Sequence, residues 1–329
     1  MMLLAGDIGG TKTNLAIFDS ARGPRDPVQT GTFPSAKYPS LETVVRDFLG
    51  DAHLKVARAA FGVAGPVVAG RAEVTNLPWV MDETQLAAAL DLEKVTLLND
   101  LAATANAVPH LAATDVHTIQ AGQRVAGGTI AVIAPGTGLG EGFLTWHGGH
   151  YLPFASEGGH TDFAPTNPLE AGLLRYLQER FGHVSYERIT SGSGLPNIYH
   201  YLKDNGYAQE PAWLAEQLAA APDPSPVITN AALDPNRPCD LCQMTLQTFV
   251  SVLGAEAGNL ALKLLATGGV YLGGGIPPRI LPALTDGTFI TAFLHKGRFA
   301  DLLAKIPINV ITDPRVALLG AAYKVFETE

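Results

Sequence analysis

Short apolar runs alternate with amphipathic stretches along the first hundred residues. The apolar run 2–7 predicts a buried strand, residues 9–13 a glycine turn and residues 14–18 a second strand, so residues 2–18 are expected to form a hairpin. Further elements are expected as strands at 29–33, 57–63 and 95–98, and as helices at 40–49, at 82–90 and from Leu101 onward. This order is typical of an α/β domain.

A similar sequence of strand, glycine turn and strand begins again in the second part of the chain, at residues 129–133. Helical periodicity is expected at 168–181, 241–265 and 315–326, and a strand at 270–272. Residues 190–196 form a turn-rich segment, and residues 220–240 form a polar, proline-punctuated region.

The two hairpins indicate two domains, which is also the prior that a length of 329 residues gives. We expect residues 1–110 to form a small α/β domain that the C-terminal helix within residues 301–329 completes. Residues 111–300 are expected to form a larger α+β domain.

Composition excludes several classes of protein. Apolar residues make up 47% of the chain and charged residues 16%, which is typical of a globular protein. A net charge of −9 gives no basic surface for nucleic acid. The richest apolar stretch, 260–272, contains Lys263 and two glycines, so no membrane span is expected. Two cysteines and no export segment indicate the cytoplasm.

The first glycine turn places a carboxylate beside exposed backbone N–H groups. Asp7 ends the first strand, and the turn that follows can hold phosphates. Mg²⁺ prefers a carboxylate, water and phosphate oxygens, so this combination favours a Mg-nucleotide, with Asp7 as the metal organiser. A hairpin whose Asp7 is satisfied locally is the structural alternative. The segment is not a Walker loop, which would need glycine at Thr11.

A second donor-rich turn follows the strand at 129–133, in the segment Gly136-Thr137-Gly138-Leu139-Gly140. Dinucleotide-binding spacing would need glycine at Glu141, so a Rossmann site is improbable. A third turn, Gly273-Gly274-Gly275, gives a close-approach site suited to a flat adenosine, or an ordinary structural turn.

Asn99 and Asp100 follow the strand at 95–98, at the edge where open α/β sheets bind ligands. Asp100 is the candidate base, because an ionised carboxylate can accept the proton of a hydroxyl that attacks phosphorus. We expect the helix N-terminus to keep this carboxylate ionised. An N-cap aspartate without a catalytic role is the alternative.

Further carboxylates and an imidazole could line a polyol pocket. Glu157 and His160 lie close together in sequence, and Glu187 lies in a separate segment. Each of them could equally be a structural hydrogen-bonding group. Cys239 and Cys242 form a lone CxxC without a second ligand pair, so no structural zinc is expected.

Eight segments in order resemble the bacterial glucokinases of the proteobacterial and cyanobacterial type, within the hexokinase and actin ATPase superfamily. They begin at Gly6, Phe61, Thr75, Leu98, Gly136, Glu157, Ser185 and Gly273, and they span nearly the whole chain. The resemblance implies a two-domain actin-like ATPase (ribonuclease H-like) fold with a cleft between the domains. It also implies ATP-dependent phosphorylation of the 6-hydroxyl of glucose with Mg²⁺, in a cytoplasmic homodimer.

The resemblance also implies roles for individual residues. Asp100 matches the catalytic base, and Asp7 is expected to hold Mg²⁺ through water. The residues that match substrate-binding positions are Asn99, Asp100, Gly138, Glu157, His160 and Glu187. The residues that match the ATP-binding positions are Gly6, Asp7, Ile8, Gly9, Gly10, Thr11, Lys12, Thr13, Gly136, Thr137, Gly273, Gly274 and Gly275.

Three other functions are compatible with parts of the pattern. A kinase for fructose, mannose or an N-acetylhexosamine would need the same residue types. A glycosidase could use Asp100, Glu157 and Glu187, but hydrolysis gives no reason for phosphate turns. A sugar-binding regulator without turnover would not need the Asp100 carboxylate.

Overall fold

The computed structural model describes residues 1–50, 55–74 and 77–327, which group into two compact units. The first unit contains Met1–Ala112, His147–Ala155 and Asp313–Glu329, and the second contains Ala113–Trp146 and Ser156–Thr312. Thr75 and Asn76 of the family-like segment, and residues 328 and 329, lie outside the described residues. The domain limits derived from the sequence stay predictions.

Groups of strands alternate with groups of helices along the described part of the chain. The strands are β1 (Met2–Ile8), β2 (Lys12–Asp19), β3 (Pro27–Pro34), β4 (Val56–Val63), β5 (Val67–Val68), β6 (Arg71–Glu73), β7 (Val80–Asp82), β8 (Lys94–Asn99), β9 (Val116–Gln120), β10 (Ile130–Pro135), β11 (Leu139–His147), β12 (His150–Ser156), β13 (Gly269–Leu272) and β14 (Ile308–Ile311). The helices are α1 (Leu41–Leu49), α2 (Glu83–Leu90), α3 (Asp100–Ala107), α4 (Pro168–Phe181), α5 (Gly194–Asp204), α6 (Ala212–Ala220), α7 (Pro224–Leu233), α8 (Asp240–Leu264), α9 (Leu281–Leu284), α10 (Thr288–Leu294), α11 (Ala300–Leu303) and α12 (Val316–Phe326).

The main sheet of the first unit has the strand order β3-β2-β1-β4-β8. The predicted hairpin is confirmed as the antiparallel pair β1–β2, while β4 runs parallel to both β1 and β8. Helices cover both faces of this sheet, which explains the continuous apolar runs of its central strands. On one face α12 buries Leu318, Ala321, Ala322 and Val325 against Leu3, Ala5 and Ala60. The carboxyl ends of β1, β4 and β8 therefore lie side by side.

Helix α3 follows β8 and packs closely on α12. A Cβ atom on Gly320 of α12 would overlap the carbonyl oxygen of Ala103, so only glycine permits this approach. The amide of Asn106 also donates a hydrogen bond to the carbonyl oxygen of Gly320, over 2.9 Å. The C-terminal helix thus fixes the position of α3 and of its first residue, Asp100.

In the second unit the strands follow the order β11-β10-β13-β14-β9. Strand β13 pairs in parallel with β10 and with β14, and β11 pairs antiparallel with β10. The long helix α8 contributes many side chains to one continuous apolar core, among them Phe249, Val252 and Leu253. This core supports the ends of β10 and β13, which carry the second and third glycine turns.

Two segments of the second unit whose composition predicts no helix each contain one. Residues 190–193 form bends and turns as predicted, but α5 begins at Gly194, and α7 occupies Pro224–Leu233 within the polar, proline-punctuated region 220–240. Proline is accepted in the first turn of a helix, where its missing N–H has no intrahelical partner. Asp223 caps α7 through the Ser225 N–H at 2.9 Å, so its proline belongs to a helix start.

Candidate active site

The first glycine turn connects β1 and β2 at the carboxyl edge of the sheet. Its backbone is held by a hydrogen bond from the Gly9 N–H to the Lys12 carbonyl, at 3.0 Å. The hydroxyl of the fully buried Ser35 donates to the Gly9 carbonyl at 2.7 Å and lies 3.0 Å from Thr13 Oγ1. Sequence reasoning missed Ser35, because only the fold brings it beside this turn.

Asp7 lies at the end of β1 and is half-buried. Asn14 of β2 donates a hydrogen bond from Nδ2 to Asp7 Oδ2 at 3.3 Å, a partner that the sequence analysis also missed. Burial raises the pKa of Asp7, the Asn14 hydrogen bond opposes this shift, and the negative charge of Asp100 adds to it. The two aspartates are therefore electrostatically coupled within the first unit.

Asn99 ends β8 and is the N-cap of α3, while Asp100 is the first residue of that helix. Asn99 Oδ1 accepts hydrogen bonds from the N–H groups of Leu101 (3.0 Å) and Ala102 (3.4 Å), and Nδ2 donates to the Gly65 carbonyl (3.0 Å). Asp100 is thus not the N-cap, and its side chain is exposed to solvent.

That the N-terminus of α3 keeps the Asp100 carboxylate ionised stays a prediction. Desolvation by the surrounding protein raises the pKa of Asp100 above its ordinary value, although hydrogen bonds from backbone N–H groups, the Leu101 N–H first among them, work against this shift. The helix N-terminus therefore does not outweigh desolvation. A carboxylate with a raised pKa is a stronger base than an ordinary aspartate, which suits proton abstraction.

The second and third glycine turns are neighbours in the second unit. The Gly273 N–H donates to the Ile133 carbonyl at 2.9 Å, and a Cβ on Gly274 (φ +79°) would overlap the Pro135 carbonyl oxygen. A Cβ at Gly136 or at Gly275 would instead meet open space. These two turns therefore lie together at the ends of the parallel strands β10 and β13.

The predicted sugar-binding residues of the second unit come from two short 3₁₀ turns. Glu157 and His160 flank the turn at 158–160, and Glu187 lies in the turn at 186–188. His160 Nδ1 lies 3.9 Å from Glu187 Oε1, and His160 Nε2 lies 3.9 Å from Glu157 Oε2. The structure thus brings these three side chains together around the imidazole.

Glu187 also connects this group to the second glycine turn. Its Oε2 accepts a hydrogen bond from the Leu139 N–H at 3.0 Å, and a Cβ on Gly138 would overlap that same oxygen. A side chain at position 138 would therefore displace the Glu187 carboxylate. The arrangement places a carboxylate, an imidazole and a donor-rich turn within one small region, which can bind the hydroxyls of a polyol.

Within the described residues, no group of three or more His, Cys, Asp or Glu side chains could hold a metal ion. Cys239 and Cys242 are both buried and free. No described helix is long and apolar enough to cross a membrane.

Comparisons with known proteins agree on one family. The glucokinase family model matches residues 4–328. A glucokinase from Trichormus variabilis is 41% identical and is aligned over 98% of both chains. The solved structure of a glucokinase from an Antarctic psychrotroph has a TM-score of 0.85 at 33% identity, and the match covers 99% of each chain. A ROK family glucokinase from Streptomyces griseus, solved with glucose and AMPPNP, has a TM-score of 0.63 at 19% identity, and the match covers 99% of each chain.

These matches confirm the resemblance and the fold class that the sequence predicted. The 41% identical relative and the family model both span nearly the whole chain, so the assignment does not depend on a single motif. The chain belongs to the glucokinase family.

Proposed function

We propose that this protein transfers the γ-phosphoryl group of ATP to the 6-hydroxyl of glucose and releases glucose 6-phosphate and ADP. The observation that carries the proposal is the Asp100 carboxylate, which is exposed at the start of α3 while Asn99 caps that helix. The glucokinase name of the 41% identical relative supports the reaction, and the glucose and AMPPNP in the Streptomyces griseus structure support the two substrates.

In this reaction Asp100 acts as the general base. As the glucose 6-oxygen forms its bond to the γ-phosphorus, its proton moves to the Asp100 carboxylate, and the bond between the γ-phosphorus and the bridging oxygen breaks. The protein forms no covalent bond to the substrates in this step, so positioning and electrostatic stabilisation supply most of the rate enhancement.

The remaining predicted residues bind and orient the substrates. Asn99, Gly138, Glu157, His160 and Glu187 are proposed to contact glucose. The N–H-rich turns at 6–13 and 136–137 are proposed to bind phosphates, and the turn at 273–275 to contact adenosine.

Mg²⁺ is proposed to bind near Asp7, through water. The half-buried Asp7 carboxylate carries repulsion from Asp100, which a nearby cation would relieve, and this charge arrangement fits the ion. When bound, Mg²⁺ neutralises phosphate charge. We also propose a cytoplasmic homodimer, which the family resemblance alone supports.

A coupled assay of ADP formation tests the proposal. The wild-type protein and its Asp100→Asn variant are given Mg-ATP and a panel of glucose, fructose, mannose and N-acetylglucosamine. We expect turnover with glucose, and a loss of about 10²- to 10⁴-fold in kcat in the variant. Preference for another hexose would reassign the substrate, and full activity of a folded variant would remove Asp100 from the base role.

A further inference from the structure

Two buried glutamates of the second unit have no place in the proposed reaction. Glu141 lies on β11 with 1% of its surface exposed, and Glu256 lies on α8 with none exposed. Within residues 1–50, 55–74 and 77–327, Oε1 of each carboxyl group accepts no hydrogen bond. Burying a carboxylate oxygen without a hydrogen bond costs free energy of folding. The two glutamates therefore stay buried only because the surrounding residues hold them there.

Glu141 supports the turn that carries two of the proposed glucose contacts. Ser156 Oγ donates to the Glu141 backbone carbonyl at 3.1 Å, and the Gly158 N–H donates to Ser156 Oγ at 3.1 Å. A Cβ on Gly158 would overlap Glu141 Oε2. The backbone between Glu157 and His160 therefore rests directly on the Glu141 side chain.

Glu256 supports the turn that carries the third contact. Asn259 Nδ2 donates to Glu256 Oε2 at 2.9 Å and also to the Tyr186 hydroxyl oxygen at 3.0 Å. Tyr186 is buried and directly precedes Glu187. Movement of the Glu256 carboxylate is thus transmitted through Asn259 to the second turn.

The basic residues near the two glutamates lie on the side of Glu256. Lys263 Nζ lies 3.6 Å from Glu256 Oε1, and Lys296, which follows α10, also faces Glu256. Burial and the negative charge of Glu256 raise the pKa of Glu141 to about 7, and Lys263 opposes this shift. Tyr186 also lies close to Glu256, and the Gly158 backbone of the 158–160 turn lies against the Glu141 carboxyl group. Glu141 therefore holds its proton to a higher pH than an ordinary glutamate.

We propose that Glu141, whose buried carboxyl group lies against Gly158, is a positioning residue for the two turns proposed to contact glucose. The inference rests on the proposed function and assigns these turns a common support. Loss of the Glu141 proton places a second negative charge next to Glu256. The resulting repulsion displaces the backbone around Gly158 and weakens glucose binding.

The test compares KM for glucose and kcat between about pH 6 and about pH 8.5 in the wild-type protein and in Glu141→Gln, which keeps the shape of a protonated carboxyl. The wild-type KM is expected to rise about fivefold across this range, and the KM of the variant to stay flat. The kcat profiles of the two proteins should coincide. An identical rise of KM in both proteins overturns the proposal.

Glu170→Gln is the matched control, because Glu170 is equally buried in the same unit but accepts hydrogen bonds from the Thr166 N–H (2.6 Å) and hydroxyl (2.8 Å). Its KM profile should follow that of the wild-type protein, and a flat profile contradicts the proposal. Absence of wild-type turnover with glucose rejects the proposed function instead. In that case, calorimetric titration with glucose at the same pH values compares glucose binding by the wild-type protein and the two variants.

Discussion

The side chain of Asn99 caps the helix whose first residue is Asp100. Asn99 Oδ1 accepts from the N–H groups of Leu101 and Ala102, while Asp100 Oδ1 shares only the Leu101 N–H, at 2.8 Å, and the Asp100 residue stays accessible to solvent. A helix start with a single polar residue would have to use the same group for capping and for chemistry.

The activity should fall in acid as the Asp100 base becomes protonated. Desolvation raises the pKa of Asp100, so the acidic limb of kcat/KM is expected at higher pH than for an ordinary aspartate. Activity is present above this raised pKa and is lost as the pH falls through it. Steady-state kinetics from acidic to neutral pH measure the limb. The residual activity of Asp100→Asn should lack it, and a limb that persists in the variant would belong to another group.

Replacement of the N-cap should destabilise the protein without unfolding it. Asn99→Ala removes two accepted hydrogen bonds and one donated to Gly65, and we expect a loss of about 1 kcal/mol in the free energy of unfolding. Asn99→Ser keeps a capping hydroxyl and should retain most of this stability. Urea denaturation monitored by circular dichroism measures both variants, and equal stabilities would show that the cap contributes little.

Two neighbouring glycines should respond differently to alanine. Gly274→Ala introduces a Cβ at φ +79° that overlaps the Pro135 carbonyl, so we expect a loss of more than about 1 kcal/mol in stability. Gly275→Ala places its Cβ in open space and should leave the melting temperature nearly unchanged. Calorimetric melting of both variants makes the comparison. Similar melting temperatures would contradict the close approach at Gly274.

Glu141 should lower the stability of the protein at alkaline pH. Its pKa is about 7 in the folded protein against 4.5 for the ordinary group, so the folded state binds the proton more tightly than the unfolded state. Stability from this site is therefore complete below about pH 4.5 and is lost as the pH rises to about 7. At about pH 8 we expect Glu141→Gln to be more stable than the wild-type protein by about 1 to 3 kcal/mol.

Denaturant titrations at about pH 5 and about pH 8 measure this difference. The advantage of Glu141→Gln should shrink strongly at the lower pH, where the wild-type carboxyl keeps its proton. A pH-independent difference between the two proteins would mean that the amide changes packing rather than charge.

The sequence predicts helices and strands well where capping residues and prolines mark the same boundaries as the spacing of apolar residues. The helix expected at 168–181 is found as Pro168–Phe181, because Asn167 caps it and proline begins it. The same signals at Asp223 and Pro224 are not recognised as a helix start in the sequence, because residues 220–240 are polar and punctuated by several prolines. A proline that begins a helix and a proline in a loop differ only in whether the residues that follow are helical, and the proline itself does not reveal this.

The site could be predicted in part for a similar reason. Glycine turns and carboxylates after strands are visible along the chain, so the sequence indicates Asp7 and Asp100. Tertiary packing alone creates the contacts of Ser35, Asn14 and Glu256, so no spacing in the sequence predicts them. The roles of the predicted site residues in binding and catalysis stay predictions.

The contact between Gly320 and Ala103 has a consequence for synthesis. Helix α3 packs against α12, which follows the second unit in the chain, and the apolar cluster of Leu3 and Ala5 also includes Leu318 and Ala321 of α12. The packing of the first unit is therefore complete only after the second unit and α12 have been synthesised, although the strands of its main sheet are synthesised earlier. Asp100, at the start of α3, thus receives its final support from a helix that is made after residues 113–312.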